Sequence, residues 1–197
     1  MKIYDISQEV FGCMVYPGDP APKRETLYSM ENGDLYNLTA FSMCAHNGTH
    51  IDAPRHFLAD GKTVEEIPLS QLVGWAYVAV FDGILNEIAA REILRRAKEA
   101  HPESAERILL KGEAVVSAEA ARVFAEAGLA MIGNESQTVG PEDGPMEVHL
   151  ILLGAGVILL EGVRLADVPE GVYLLNAAPL SLAGADGSPC RAWLLAL

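Results

Sequence analysis

Trp75-Ala76-Tyr77-Val78-Ala79-Val80-Phe81, closed by Asp82-Gly83, is a run of β-branched, aromatic and small apolar residues ending in a turn pair. It predicts a buried strand. Residues 86–100 predict the helix that follows: Asn86 suits the N-cap, and Leu85, Ala89, Ile93 and Ala97 recur along one face. The alternation then continues. Residues 107–111 predict a short buried strand. Ser117 caps a second helix that carries Ala120, Phe124 and Ala127 inward and stops at Gly128, and residues 129–132 predict another strand. A helix is expected within residues 142–153, and core strands at 157–160 and 173–175. Strand–helix alternation of this kind specifies an α/β domain.

Ahead of residue 74 the chain is richer in strands. Residues 2–8 and 36–44 predict strands, and Tyr16-Pro17-Gly18-Asp19-Pro20 predicts a turn between them, so this part adds a further layer. No stretch has linker composition and no solenoid repeat is present, so residues 1–197 are expected to form a single domain. Fourteen Lys and Arg against 27 Asp and Glu give a net charge of −13, which argues against nucleic acid and anionic membranes as partners. An acid at Asp5 and the brevity of the apolar run at 150–160 argue against a signal peptide or spanning helix. The expectation is a soluble, cytoplasmic protein. Cys13, Cys44 and Cys190 form an odd set without a C-x-x-C pair, which indicates neither a disulfide framework nor a zinc ribbon.

Three of the five histidines crowd into His46-Asn47-Gly48-Thr49-His50-Ile51-Asp52-Ala53-Pro54-Arg55-His56-Phe57. Gly48 and Pro54 allow a tight bend in which His46, His50 and Asp52 converge. Imidazole with carboxylate is the ligand mix of catalytic zinc, or of manganese or iron. Thr49 and Asn47 are candidates to brace the rings. Of the distant histidines, His101 reads as a solvated surface residue. His149, in an apolar surround, is either a satisfied core histidine or a ligand. Glu161 closes the apolar run 157–160, where a buried carboxylate needs a cation or a proton unless the strand end is exposed.

These residues resemble the bacterial kynurenine formamidase (arylformamidase) and putative cyclase family of metal-dependent hydrolases. Its hallmark His-x-Gly-Thr-His-x-Asp-x-Pro-x-His-Phe is matched position for position by residues 46–57. The likeness extends to Tyr16-Pro17-Gly18-Asp19, to the His149 and Glu161 spacing, and to Pro179-Leu180 and Gly184-Ala185-Asp186-Gly187-Ser188-Pro189. The resemblance implies a single β/β/α layered α/β domain of the swivelling type, with a mixed sheet, flanking helices and a tendency to form homo-oligomers. It implies a binuclear zinc site in which His46, His50 and Asp52 hold one ion, His149 joins the second, and Asp52 and Glu161 are shared. His56 becomes the catalytic acid/base and Tyr16 a substrate-binding residue. The implied reaction is hydrolysis of N-formyl-L-kynurenine to formate and kynurenine, a step in tryptophan breakdown, with water activated on the metals and His56 protonating the leaving nitrogen.

Two positions depart from the family's pattern. Tyr16 stands where its kynurenine formamidases carry Trp, and Asn134-Glu135 stands where an Asp-containing segment is expected. Hydrolysis of a cyclic amide or lactone, a cyclisation, and a non-catalytic metal- or ligand-binding role are the alternative readings. Arg191 is expected to salt-bridge an acid, with contact to a substrate carboxylate as the alternative, and Cys44 to be a buried strand cysteine rather than a thiolate.

Overall fold

Four parallel strands form the middle of the sheet. The computed structural model describes residues 1–196. Val73–Val80, Arg107–Lys111, Met131–Asn134 and Ile158–Glu161 lie side by side in chain order and run parallel. Parallel neighbours need crossovers, and right-handed crossovers along a sheet growing in one direction put every connecting helix on the same face. The three connectors are Glu87–Ala100, Ala118–Glu126 and Met146–Gly154. Antiparallel strands extend both edges. Gly171–Asn176, Trp193–Ala196 and Lys2–Asp5 follow beyond Val73–Val80. His50–Asp52 and Gly187–Pro189 follow beyond Ile158–Glu161. The nine-stranded mixed sheet with flanking helices is the α/β architecture expected.

Period-two alternation separates two cores. Tyr77, Ala79, Ile108, Leu110, Ile132 and Leu159 pack under the helices with Ala90, Ile93, Phe124 and Leu152. Ala76, Val78, Leu109, Met131, Ile158 and Leu160 point to the other face, where they form a second core with Ile6, Ile51, Leu72 and Leu194. The helix starts read correctly: Asn86 accepts a hydrogen bond from the Ala89 N–H at 3.0 Å and Ser117 from the Ala120 N–H at 3.2 Å.

Several boundaries differ from the sequence expectation. The first strand ends at Asp5 rather than residue 8. The strand expected at 129–132 lies at Met131–Asn134, because Leu129 still closes the preceding helix through its N–H to the Phe124 carbonyl. Ala127 is exposed rather than inward, since the helix ends at Glu126. The histidine-rich bend contains a buried strand, His50–Asp52. A hairpin of Lys23–Tyr28 with Leu38–Ser42 stands apart from the large sheet.

Candidate metal centre

Strand geometry gathers the first three side chains. Ile51 points into the core on the face opposite the three long helices, so His50 and Asp52 point the other way. Ile158 and Leu160 do the same in their strand, which leaves Glu161 on the face of His50 and Asp52. The antiparallel register sets Glu161 opposite His50. Helix Met146–Gly154 lies over this face through Val148, Leu152 and Leu153, and its next buried position is His149.

Five groups therefore converge. His46 Nδ1 is 2.8 Å and His50 Nε2 3.2 Å from Asp52 Oδ1. His149 Nε2 is 3.3 Å from Glu161 Oε1 and 3.5 Å from Asp52 Oδ2, and His50 Nε2 is 3.5 Å from Glu161 Oε2. Asp52 thus belongs to two ligand groups, His46–His50–Asp52 and Asp52–His149–Glu161. The sequence-named candidates His46, His50, Asp52, His149 and Glu161 all meet here.

The chemistry of this donor set fits a divalent cation. Asp52 Oδ2 is buried with no hydrogen-bond partner, an arrangement that is costly unless a cation satisfies it. The rear nitrogens are committed: His50 Nδ1 donates to the Gly48 carbonyl at 3.0 Å and His149 Nδ1 to the Pro145 carbonyl at 2.9 Å. Their Nε2 atoms are left facing the carboxylates, as metal-ligating rings require. Burial alone would depress both imidazoles, but Asp52 and Glu161 overcome it and push His50 and His149 up to about 10. Burial likewise opposes ionisation of Asp52, and the surrounding imidazoles hold it well below the usual carboxylate range. Protons here occupy the electrostatic place of a dication.

Two glycines permit this proximity. Gly162 has φ +68°, and a Cβ there would strike the Gly48 carbonyl. Its own carbonyl accepts from Thr49 Oγ1 and Gln8 Nε2, each at 2.7 Å, which ties the chain after Glu161 to the chain before His50. A Cβ on Gly187 would lie 2.5 Å from His46 Cε1.

His56 sits at the rim. Its ring stacks on His46 with centroids 4.0 Å apart and lies 6.2 Å from His149. Phe57 packs edge-on against His56 and close to His149. Asp186, to which the sequence reading gave no role, meets both rim histidines: its Oδ2 is 3.0 Å from His46 Nε2 and 3.2 Å from His56 Nδ1. A single Asp in a glycine-rich turn has no spacing that marks it; only its place in the matched 184–189 segment distinguished it.

The other residues singled out in the sequence make the following contacts. Thr49 and Asn47 brace backbone rather than rings, Thr49 at Gly162 and Asn47 by accepting from the Cys44 N–H at 2.9 Å. Tyr16 donates its hydroxyl to the Glu142 carbonyl at 2.9 Å, on the segment leading to the helix of His149. His101 is half-buried and stacks on Trp75 rather than standing free in solvent. Arg191 pairs with Asp5 at 2.9 Å. Cys44 is half-buried just beyond the Leu38–Ser42 strand, with Sγ 3.6 Å from Asp19 Oδ2.

Residues 4–141 match a family model described as Putative cyclase. A Bacillus mycoides protein named kynurenine formamidase is 36% identical over 95% of this chain and 94% of its own length. One of the same name from Erythrobacter litoralis is 32% identical over 98% and 93%. A solved structure described as a potential metal-dependent hydrolase with cyclase activity superposes with a TM-score of 0.81. It is 31% identical, covering 98% of this chain and 96% of that one.

Proposed function

The chain belongs to the Putative cyclase family and is a hydrolase, and from that premise we propose that it cleaves aryl formamides with water, N-formyl-L-kynurenine first among them. The products are formate and the free aryl amine, here kynurenine, which places the enzyme in tryptophan breakdown. The observation that carries this reading is the pair of buried carboxylates, Asp52 and Glu161, faced by imidazoles whose rear nitrogens are already occupied. The kynurenine formamidases of similar length support the choice of substrate.

Zinc is the metal we assign, two ions per chain. His46, His50 and Asp52 would hold one ion and Asp52, His149 and Glu161 the other, with Glu161 reaching toward both groups. Bound there, the ions supply Lewis acidity toward the formyl oxygen and lower the pKa of water to ~7. The protein's own part is positioning and proton transfer. Asp52 and Glu161 fix the negative charge that selects cations. His56, partly exposed at the rim, delivers a proton to the departing amine nitrogen, so that the amine leaves neutral. Tyr16 contributes an aromatic face to the aryl group, its hydroxyl anchored at Glu142.

We also place the protein in the cytoplasm as a homo-oligomer. Its three cysteines are all unpaired, in keeping with a reducing compartment. No helix among the described residues is long and apolar enough to cross a membrane.

The test is turnover of N-formyl-L-kynurenine by protein stripped with chelator and reloaded with two equivalents of zinc. Kynurenine release should vanish on stripping and return with zinc. Reloaded protein that ignores N-formyl aryl amines but opens a lactone or cyclic amide would overturn the assignment.

A further inference from the structure

The rear nitrogens of His50 and His149 are held by backbone carbonyls, at 3.0 and 2.9 Å. A carbonyl only accepts, so both Nδ1 atoms carry protons and both Nε2 atoms face the cluster, where a metal would take their lone pairs in place of protons. His46 is turned the other way round. Its Nδ1 faces Asp52 Oδ1 at 2.8 Å, and its rear atom, Nε2, meets the Asp186 carboxylate at 3.0 Å. The same Asp186 oxygen lies 3.2 Å from Nδ1 of His56. A carboxylate oxygen has two lone pairs and can accept from both rings at once.

We infer that Asp186 is a positioning residue that sets two tautomers together: a proton on His46 Nε2, which frees Nδ1 for the metal, and a proton on His56 Nδ1, which leaves Nε2 to exchange a proton with substrate. What those rings then do rests on the metal-hydrolase reading above; which nitrogen holds the proton does not.

The surrounding backbone holds Asp186 in register for this task. Its carbonyl accepts from the Ala53 N–H at 2.9 Å, and the next residue, Gly187, pairs with Asp52 across the sheet edge. Gly187 lacks the side chain that would strike the His46 ring, so the strand can pass directly beneath it and present Asp186 at the rear nitrogen. The result is a carboxylate–histidine–metal arrangement whose carboxylate also grips the acid/base. A loosened Asp186 would therefore disturb metal affinity and proton transfer at the same time.

The experiment uses the full chain, zinc-loaded and 15N-labelled, with long-range proton–nitrogen correlation of the histidine rings. Wild type should show His46 protonated at Nε2 and His56 at Nδ1. In Asp186→Ala, the His56 signals should move toward the Nε2–H form. Zinc affinity, measured by competition with a chromophoric chelator, should fall ~10–100-fold, while saturating zinc still gives the wild-type stoichiometry. With formamide substrate, kcat should fall and KM stay close to wild type. Asp186→Asn keeps an accepting oxygen without the charge, and should recover part of each loss. Wild-type ring signals and zinc affinity in Asp186→Ala would overturn the inference. So would loss of a whole zinc equivalent at saturation, which would make Asp186 a ligand. The ring and zinc measurements involve no substrate, so a wild-type protein inert toward formamides would sink the substrate reading alone.

Discussion

The rings of His56 and His149 have centroids 6.2 Å apart, yet their surroundings differ. His149 is buried between two carboxylates with its rear nitrogen held by a carbonyl, a setting in which a ring binds a cation and does not shuttle protons. His56 is partly open to solvent and touches a carboxylate only at the rim, where a substrate can reach its ring. Replacing His56 with Ala should therefore leave the metal in place and lower turnover by ~10²–10⁴. Elemental analysis beside steady-state kinetics separates the two effects. Undiminished turnover would mean that another group protonates the amine.

Among the elements, the Lys23–Tyr28/Leu38–Ser42 hairpin is the least self-sufficient. Every residue of its first strand is exposed, and Leu27, Tyr28, Tyr36, Leu38 and Phe41 all present apolar surface. Its aromatic contacts are edge-on pairs, Tyr28 with Tyr36 and Phe41 with Phe11. A two-stranded hairpin is marginal in water without an apolar partner, and exposed apolar patches on this scale mark contact surfaces. A second copy of this chain covering the hairpin is the arrangement expected of a homo-oligomer. The double substitution Tyr36→Glu and Phe41→Glu should shift the species seen in sedimentation velocity from oligomer to monomer, with zinc content unchanged. A wild-type protein that sediments as a monomer at micromolar concentration would refute this role for the hairpin.

For the whole molecule, the metal-free site links stability to pH. His50 and His149 rise from an ordinary 6.5 to about 10 in the fold, because Asp52 and Glu161 outweigh burial. Such groups stabilise fully below the unfolded value near 6.5, and their contribution is lost as pH climbs through about 10. Chelated protein should therefore melt at progressively lower temperature from neutral pH to pH ~10. Zinc-loaded protein should resist that decline, because metal binding displaces those protons and gains affinity as pH rises. Thermal melts across this range, with and without chelator, read the difference; parallel curves would show that the histidines carry no such linkage.

Much of the architecture was visible in local pattern. The 3.6-residue apolar stripe and the cap at Asn86 announce the first long helix, the apolar run before Asp82-Gly83 announces a central strand, and His46 to Phe57 announces a metal-binding bend. These signals are readable because each depends on neighbours a few residues away. Pairing is another matter. That Glu161 lies opposite His50, that a helix sets His149 above them, and that Gly187 pairs with Asp52 to bring Asp186 behind His46 all depend on strand order across the sheet. No short stretch encodes that order, because it comes from burying two cores at once on opposite faces. The chain's local chemistry therefore supplied the donor side chains and their type. The packed sheet settled which nitrogen faces inward, which carboxylate stands behind it, and which histidine is left outside the cluster, at the rim.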